Sequence, residues 1–87
     1  MNGVQGEELT LGTTSAVNIV LTDVDKNEKK TFFIKVTSGS VKVGVGSIAA
    51  GAKAWGTTDT VNPYNCFNGE LYVQGGASDK IVVTATP

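Results

Sequence analysis

The chain has 87 residues and a net charge of −1, from 7 Lys against 8 acids, with neither Arg nor His. These absences exclude a Ser-His-Asp triad, a Cys-His dyad, imidazole metal ligation and a bidentate arginine clamp on phosphate or guanine, and so balanced a charge gives no electrostatic footprint for nucleic acid. A chain this short forms one small domain that buries only about 63% of its unfolded surface, so self-association would help its core. Val (12), Thr (11) and Gly (11) dominate, and Leu is scarce at four. That is strand-and-turn composition. Residues 1–14 are polar and Gly-dotted and are expected as an N-terminal arm, with 15–87 as the β-domain. Within the arm only Glu8-Leu9-Thr10-Leu11 alternates, as a short edge strand would. Ala16–Thr22 reads as a strand, and Asp23–Glu28 as a charged turn. Thr31–Thr37 alternates, with Phe32, Ile34 and Val36 on one face and Phe33, Lys35 and Thr37 on the other. Ser38-Gly39-Ser40 turns the chain into the Val41/Val43/Val45 strand, which predicts a hairpin over about Lys30–Val45.

Gly46–Gly56 is rich in small residues, and Gly51 breaks any helix there, so it is expected as a structured loop. Thr57–Val61 is expected as a short strand. Tyr64–Phe67 follows Pro63. Asn68-Gly69 is the type I′ hairpin dipeptide, and its two-residue register pairs Phe67 with Glu70, Cys66 with Leu71, Asn65 with Tyr72 and Tyr64 with Val73. Gly75–Asp79 makes a looser turn. Lys80–Thr86 closes the chain, facing inward through either Ile81, Val83 and Ala85 or the reverse register with Val82. The expected fold is all-β: a small antiparallel β-sandwich or barrel of about seven short strands joined by hairpins.

Motif chemistry is sparse. Gly44-Val45-Gly46-Ser47-Ile48-Ala49 matches a dinucleotide-binding pattern, but the helix it needs is broken at Gly51 and 87 residues cannot hold a doubly wound sheet. Asp23-Val24-Asp25-Lys26-Asn27 resembles the start of a calcium loop, but Glu28 stands where Gly is needed and Ile34 where the final Glu is needed. Ser47 has only Lys53 near it as a candidate base. Cys66 cannot form an intramolecular disulfide and lies in an apolar strand, the setting of an inert buried thiol. Lys26, Lys29 and Lys30 form a solvated turn with Glu28. No catalytic residue, metal ligand or cofactor is expected, and the chain is not expected to be an enzyme. The N-terminus lacks the basic and apolar regions of a signal peptide, and no apolar run is long enough to span a bilayer, so synthesis in the cytoplasm and no membrane partner are expected.

The aromatic residues carry the interaction signal. Trp55 lies among Ala and Gly, as a loop anchor or an interface hot spot does. Alternation puts Phe33 opposite the Phe32 face and Tyr72 opposite Leu71 and Val73, beside Phe67. One sheet could therefore carry rings on its outer face, covered by another element or another subunit, unless the strand is buried on both faces. The candidate interface residues are Leu9, Leu11, Phe33, Trp55, Phe67 and Tyr72.

The stretch Asn68-Gly-Glu-Leu-Tyr-Val-Gln-Gly-Gly-Ala-Ser-Asp-Lys-Ile-Val-Val-Thr resembles the closing hairpin of small tailed-phage virion proteins, namely capsid decoration (cement) proteins and head-fibre base modules. Phe32-Phe-Ile-Lys-Val-Thr-Ser-Gly-Ser-Val-Lys-Val43 fits the same style, and Gly46–Gly56 has no place in it. The resemblance spans about residues 30–86. It implies a capsid-surface role in a virion as a symmetric homo-oligomer, often a trimer, with the major capsid protein or another virion protein as partner. It assigns no residue a function. The alternative is a carbohydrate- or protein-binding β-module such as an adhesin or tail-associated domain.

Overall fold

Phe32, Ile34 and Val36 are spaced two apart, so an extended backbone directs all three to one face. In the computed structural model, which describes residues 5–21 and 25–86, all three are buried. The described residues form eight strands: β1 (Gln5–Thr10), β2 (Val17–Ile19), β3 (Lys29–Ser38), β4 (Ser40–Val45), β5 (Trp55–Gly56), β6 (Tyr64–Phe67), β7 (Leu71–Gly75) and β8 (Lys80–Thr86). They build two four-stranded antiparallel sheets, in the orders β1-β8-β3-β6 and β2-β7-β4-β5. The all-β sandwich expected from composition is therefore present, with eight strands.

The strand order has a simple logic. β1 pairs with β8, β2 with β7, β3 with β6 and β4 with β5. The chain is a long hairpin doubled back at the loop after β4, then rolled so that β8 also meets β3 and β7 also meets β4. This is the eight-stranded jelly-roll order, a double Greek key. The loop within Gly46–Gly56 is the tip of that hairpin.

Three expected hairpins are corners instead. β3 and β4 lie in different sheets, so the Lys30–Val45 hairpin is absent; the chain crosses between sheets at Gly39, whose φ is +80°. β6 and β7 also part, so the register pairing Cys66 with Leu71 and Asn65 with Tyr72 does not form. The turn at Asn68-Gly69 exists, with Glu70 N–H donating to the Phe67 carbonyl at 3.1 Å. A type I′ turn needs positive φ at both central residues. Here only Gly69 has it (+102°). That is the type II pattern, which splays its flanking strands and suits a crossing between sheets. The Asn68 side chain explains the choice. It is buried and pairs with the Leu21 backbone, accepting from Leu21 N–H and donating to the Leu21 carbonyl, both at 2.9 Å. β7 and β8 likewise belong to opposite sheets.

Two further expectations change. Residues 57–61 form a turn and a coil rather than a strand; the Asp59 carboxylate accepts from Gly56 N–H at 2.7 Å, and Val61 is buried. The stretch expected as an arm supplies β1 and a core side chain, Leu11, which is 3% exposed. Leu11 N–H donates to the Asp79 carbonyl and its own carbonyl accepts from Ser78 N–H. Residues 1–4 of that stretch, and Thr22, Asp23 and Val24, lie outside the described residues. For β8 the inward set is Ile81, Val83 and Ala85.

Asp79 ties one end of the sandwich. Its carboxylate accepts from Gly76 N–H at 2.8 Å and lies where a Cβ on Gly39 would be, 2.1 Å from that position. Ser78 beside it has φ +90°, a conformation that strains any residue but glycine. Gly39→Ala should cost at least about 1 kcal/mol, and Ser78→Gly should stabilise by about 1 kcal/mol, read as urea midpoints. Leu11→Ala should cost about 2–5 kcal/mol, as a core leucine does, whereas an arm residue would cost under about 0.5 kcal/mol.

Candidate interaction surface

The inward faces of both sheets are filled by apolar side chains, so chemistry with a partner falls to the outer faces and the edges. On β3 the alternation that buries Phe32 and Ile34 turns Phe33 outward, where it is 44% exposed. Its cross-strand neighbour is Thr84, and Val82 stands one step away diagonally, opposite Lys35. Thr31 faces Thr86 in the next row. Around Phe33 the outer face of the β1-β8-β3-β6 sheet thus presents one ring and one valine within threonines and lysines.

The other expected rings are not on this patch. Phe67 sits at the far end of the same sheet, opposite Lys29, whose Nζ lies 5.5 Å from the ring centroid. Lys29 and Phe33 are four strand residues apart, about 13 Å. Tyr72 projects from the outer face of the other sheet, between Leu71 and Val73, which are both buried. One sheet does not carry all three rings; Tyr72 is on the opposite side of the sandwich because β6 and β7 are not a hairpin. Next to Tyr72 is Gly44, where a Cβ would lie 2.1 Å from the Ser47 carbonyl oxygen, so the tip loop crosses directly over this strand.

Trp55 is half-buried at the β5 edge and packs on the core. Lys53 Nζ stands 4.5 Å from its ring centroid. Core and lysine between them occupy the ring, as the loop-anchor alternative expects.

The two sheets leave grooves at their margins. Leu9 and Leu11 line one of about 210 Å³, with Val17, Ile19 and the exposed Val20 across from them. It runs between β1 and β2, each with an unpaired outer edge among the described residues. Leu9 is half-buried there, whereas Leu11 reaches it only from the core. A second groove, about 320 Å³, is polar and was not signalled in the sequence. Thr14, Ser40, Lys42, Gln74 and Asp79 line it, beside Ala54. Strands distant in sequence assemble it, which is why no motif announces it.

No group of three or more metal-ligating side chains occurs among the described residues. Of the calcium-like run, Asp25 serves its own turn, accepting from Asn27 N–H at 2.8 Å. Glu28 pairs with Lys30 at 2.9 Å. The Gly44–Ala49 run ends a strand and enters a loop. Cys66 is buried, and desolvation pushes its thiol pKa up; Glu70 adds to the shift and Lys29 opposes it. No family model, curated protein or solved structure matches this chain.

A thiol held protonated and buried should be inert. Ellman's reagent at pH 8 should leave Cys66 unmodified in the folded chain and modify it fully in denaturant. Prompt modification of the folded chain would contradict this placement.

Proposed function

We propose that this chain is a non-enzymatic structural protein of a phage virion, one that decorates and stabilises a capsid, or supports a head fibre, through contacts between subunits. The single observation that carries this is the jelly-roll strand order. Viral capsid domains use that architecture, and so do lectins; the step from fold to role is one of analogy. Two features support it. The outer face around Phe33 and Val82 is apolar at its centre and polar at its rim, the anatomy of a subunit contact. Two edge strands, β1 and β2, offer main-chain hydrogen bonds to a neighbour. A lattice protein gains its binding energy from many copies and shared surface, and so needs no pocket.

The polar groove beside Ala54 favours a second reading, a carbohydrate- or protein-binding module. That module would be a monomer, and saccharides would perturb Lys42 and Gln74.

Native mass across a concentration series separates the two. The virion reading predicts a closed homo-oligomer, a trimer at three times the 9.0 kDa chain mass. Phe33→Lys should dissociate it while leaving the unfolding midpoint within about 0.5 kcal/mol of the parent, because the site is on the surface. A strict monomer at every concentration, unaffected by Phe33→Lys and responsive to saccharide, would transfer the assignment to the second reading.

A further inference from the structure

Asn68-Gly69 carries a chemical hazard as well as a turn. In an Asn-Gly dipeptide the following amide nitrogen can attack the side-chain carbonyl carbon, because glycine leaves that approach unobstructed. The bond from Gly69 N to Asn68 Cγ forms, the Cγ–Nδ2 bond breaks, and Nδ2 departs as ammonia with the proton from Gly69 N. Water then opens the resulting five-membered imide at either carbonyl, which gives aspartate or its β-linked isomer.

The fold holds the side-chain amide out of this reaction. Asn68 Oδ1 accepts from Leu21 N–H and Nδ2 donates to the Leu21 carbonyl, both at 2.9 Å, so the amide is engaged at both ends. The residue is 4% exposed, which excludes the water that the second step consumes. The next peptide, Gly69–Glu70, is anchored as well, which limits how the turn can rotate: the Gly69 carbonyl accepts from Asn18 Nδ2, and Glu70 N–H closes the turn onto Phe67.

We infer that Asn68-Gly69 is a latent self-modification site, which pairing with Leu21 keeps closed in the folded chain and which reacts when this corner opens. The product cannot restore the corner. A carboxylate has no N–H to give the Leu21 carbonyl, so acceptor would face acceptor with a charge in a buried site. The β-linked isomer adds a methylene to the main chain within a two-residue turn. Each opening that reacts is therefore irreversible, and the chain accumulates a record of its own unfolding. This inference is independent of the virion role.

The test is peptide mass spectrometry on the whole chain, incubated at mildly alkaline pH with and without denaturant. In denaturant, Asn68-Gly69 should gain 1 Da at the rate of the same dipeptide at Asn2-Gly3. In the folded chain Asn68 should react slower by on the order of a hundredfold or more, because the reaction then follows the open population. Equal rates at Asn68 in the two conditions would overturn the inference. Chain modified in denaturant should refold to a species with a lower Tm, or fail to refold, while unmodified chain from the same sample recovers. Asn68→Asp should show the same defect. Full recovery of the modified chain with an unchanged Tm would show that the pairing with Leu21 does not hold the corner.

Discussion

The ladder between β3 and β8 is the contact on which the rest depends. Phe32 faces Ala85, Ile34 faces Val83 and Val36 faces Ile81, a match of large against small in which every member is buried. It sits at the centre of one sheet, with β1 and β6 flanking it. It also sets the outer face, since the residues between these pairs, Phe33, Lys35, Val82 and Thr84, must all point away from the core. The strands it joins are about fifty residues apart, so the chain closes a long loop before the ladder repays the cost.

The corners follow from that long-range pairing. β3 has both edges occupied, by β8 on one side and β6 on the other, so its neighbour in sequence, β4, falls to the other sheet. Gly39 and Gly69 take positive φ at the points where the chain leaves one sheet for the other. Gly75 serves a different need, close approach: a Cβ there would lie 2.8 Å from the Ser40 carbonyl oxygen and 3.0 Å from Val41.

Alternation made the inward faces of the β3, β4 and β7 stretches legible, because a period of two depends on local geometry alone. The positions of the three turns were legible for the same reason. Their partners were not. Asn68-Gly69 satisfies the hairpin rule as written, and what decides against a hairpin is the pairing of the Asn68 amide with Leu21, 47 positions away. The Gly46–Gly56 loop resisted placement because the tip of a rolled hairpin makes sense only once the roll is known. The surface was legible in part. Phe33 is exposed as alternation implies, Leu11 is drawn into the core by main-chain bonds to Ser78 and Asp79, and the polar groove is built from strands that no short pattern connects.

The central claim is that the strands on either side of the Gly39, Asn68-Gly69 and Gly75–Asp79 turns lie in different sheets and pair with strands distant in sequence. Cross-strand nuclear Overhauser contacts on the isotope-labelled chain test it most directly. The rolled hairpin predicts backbone contacts for Phe33 with Thr84, Lys35 with Val82, and Val43 with Val73. Contacts for Asn65 with Tyr72 and Cys66 with Leu71, in place of these, would mean that the chain is a string of local hairpins and would contradict the account.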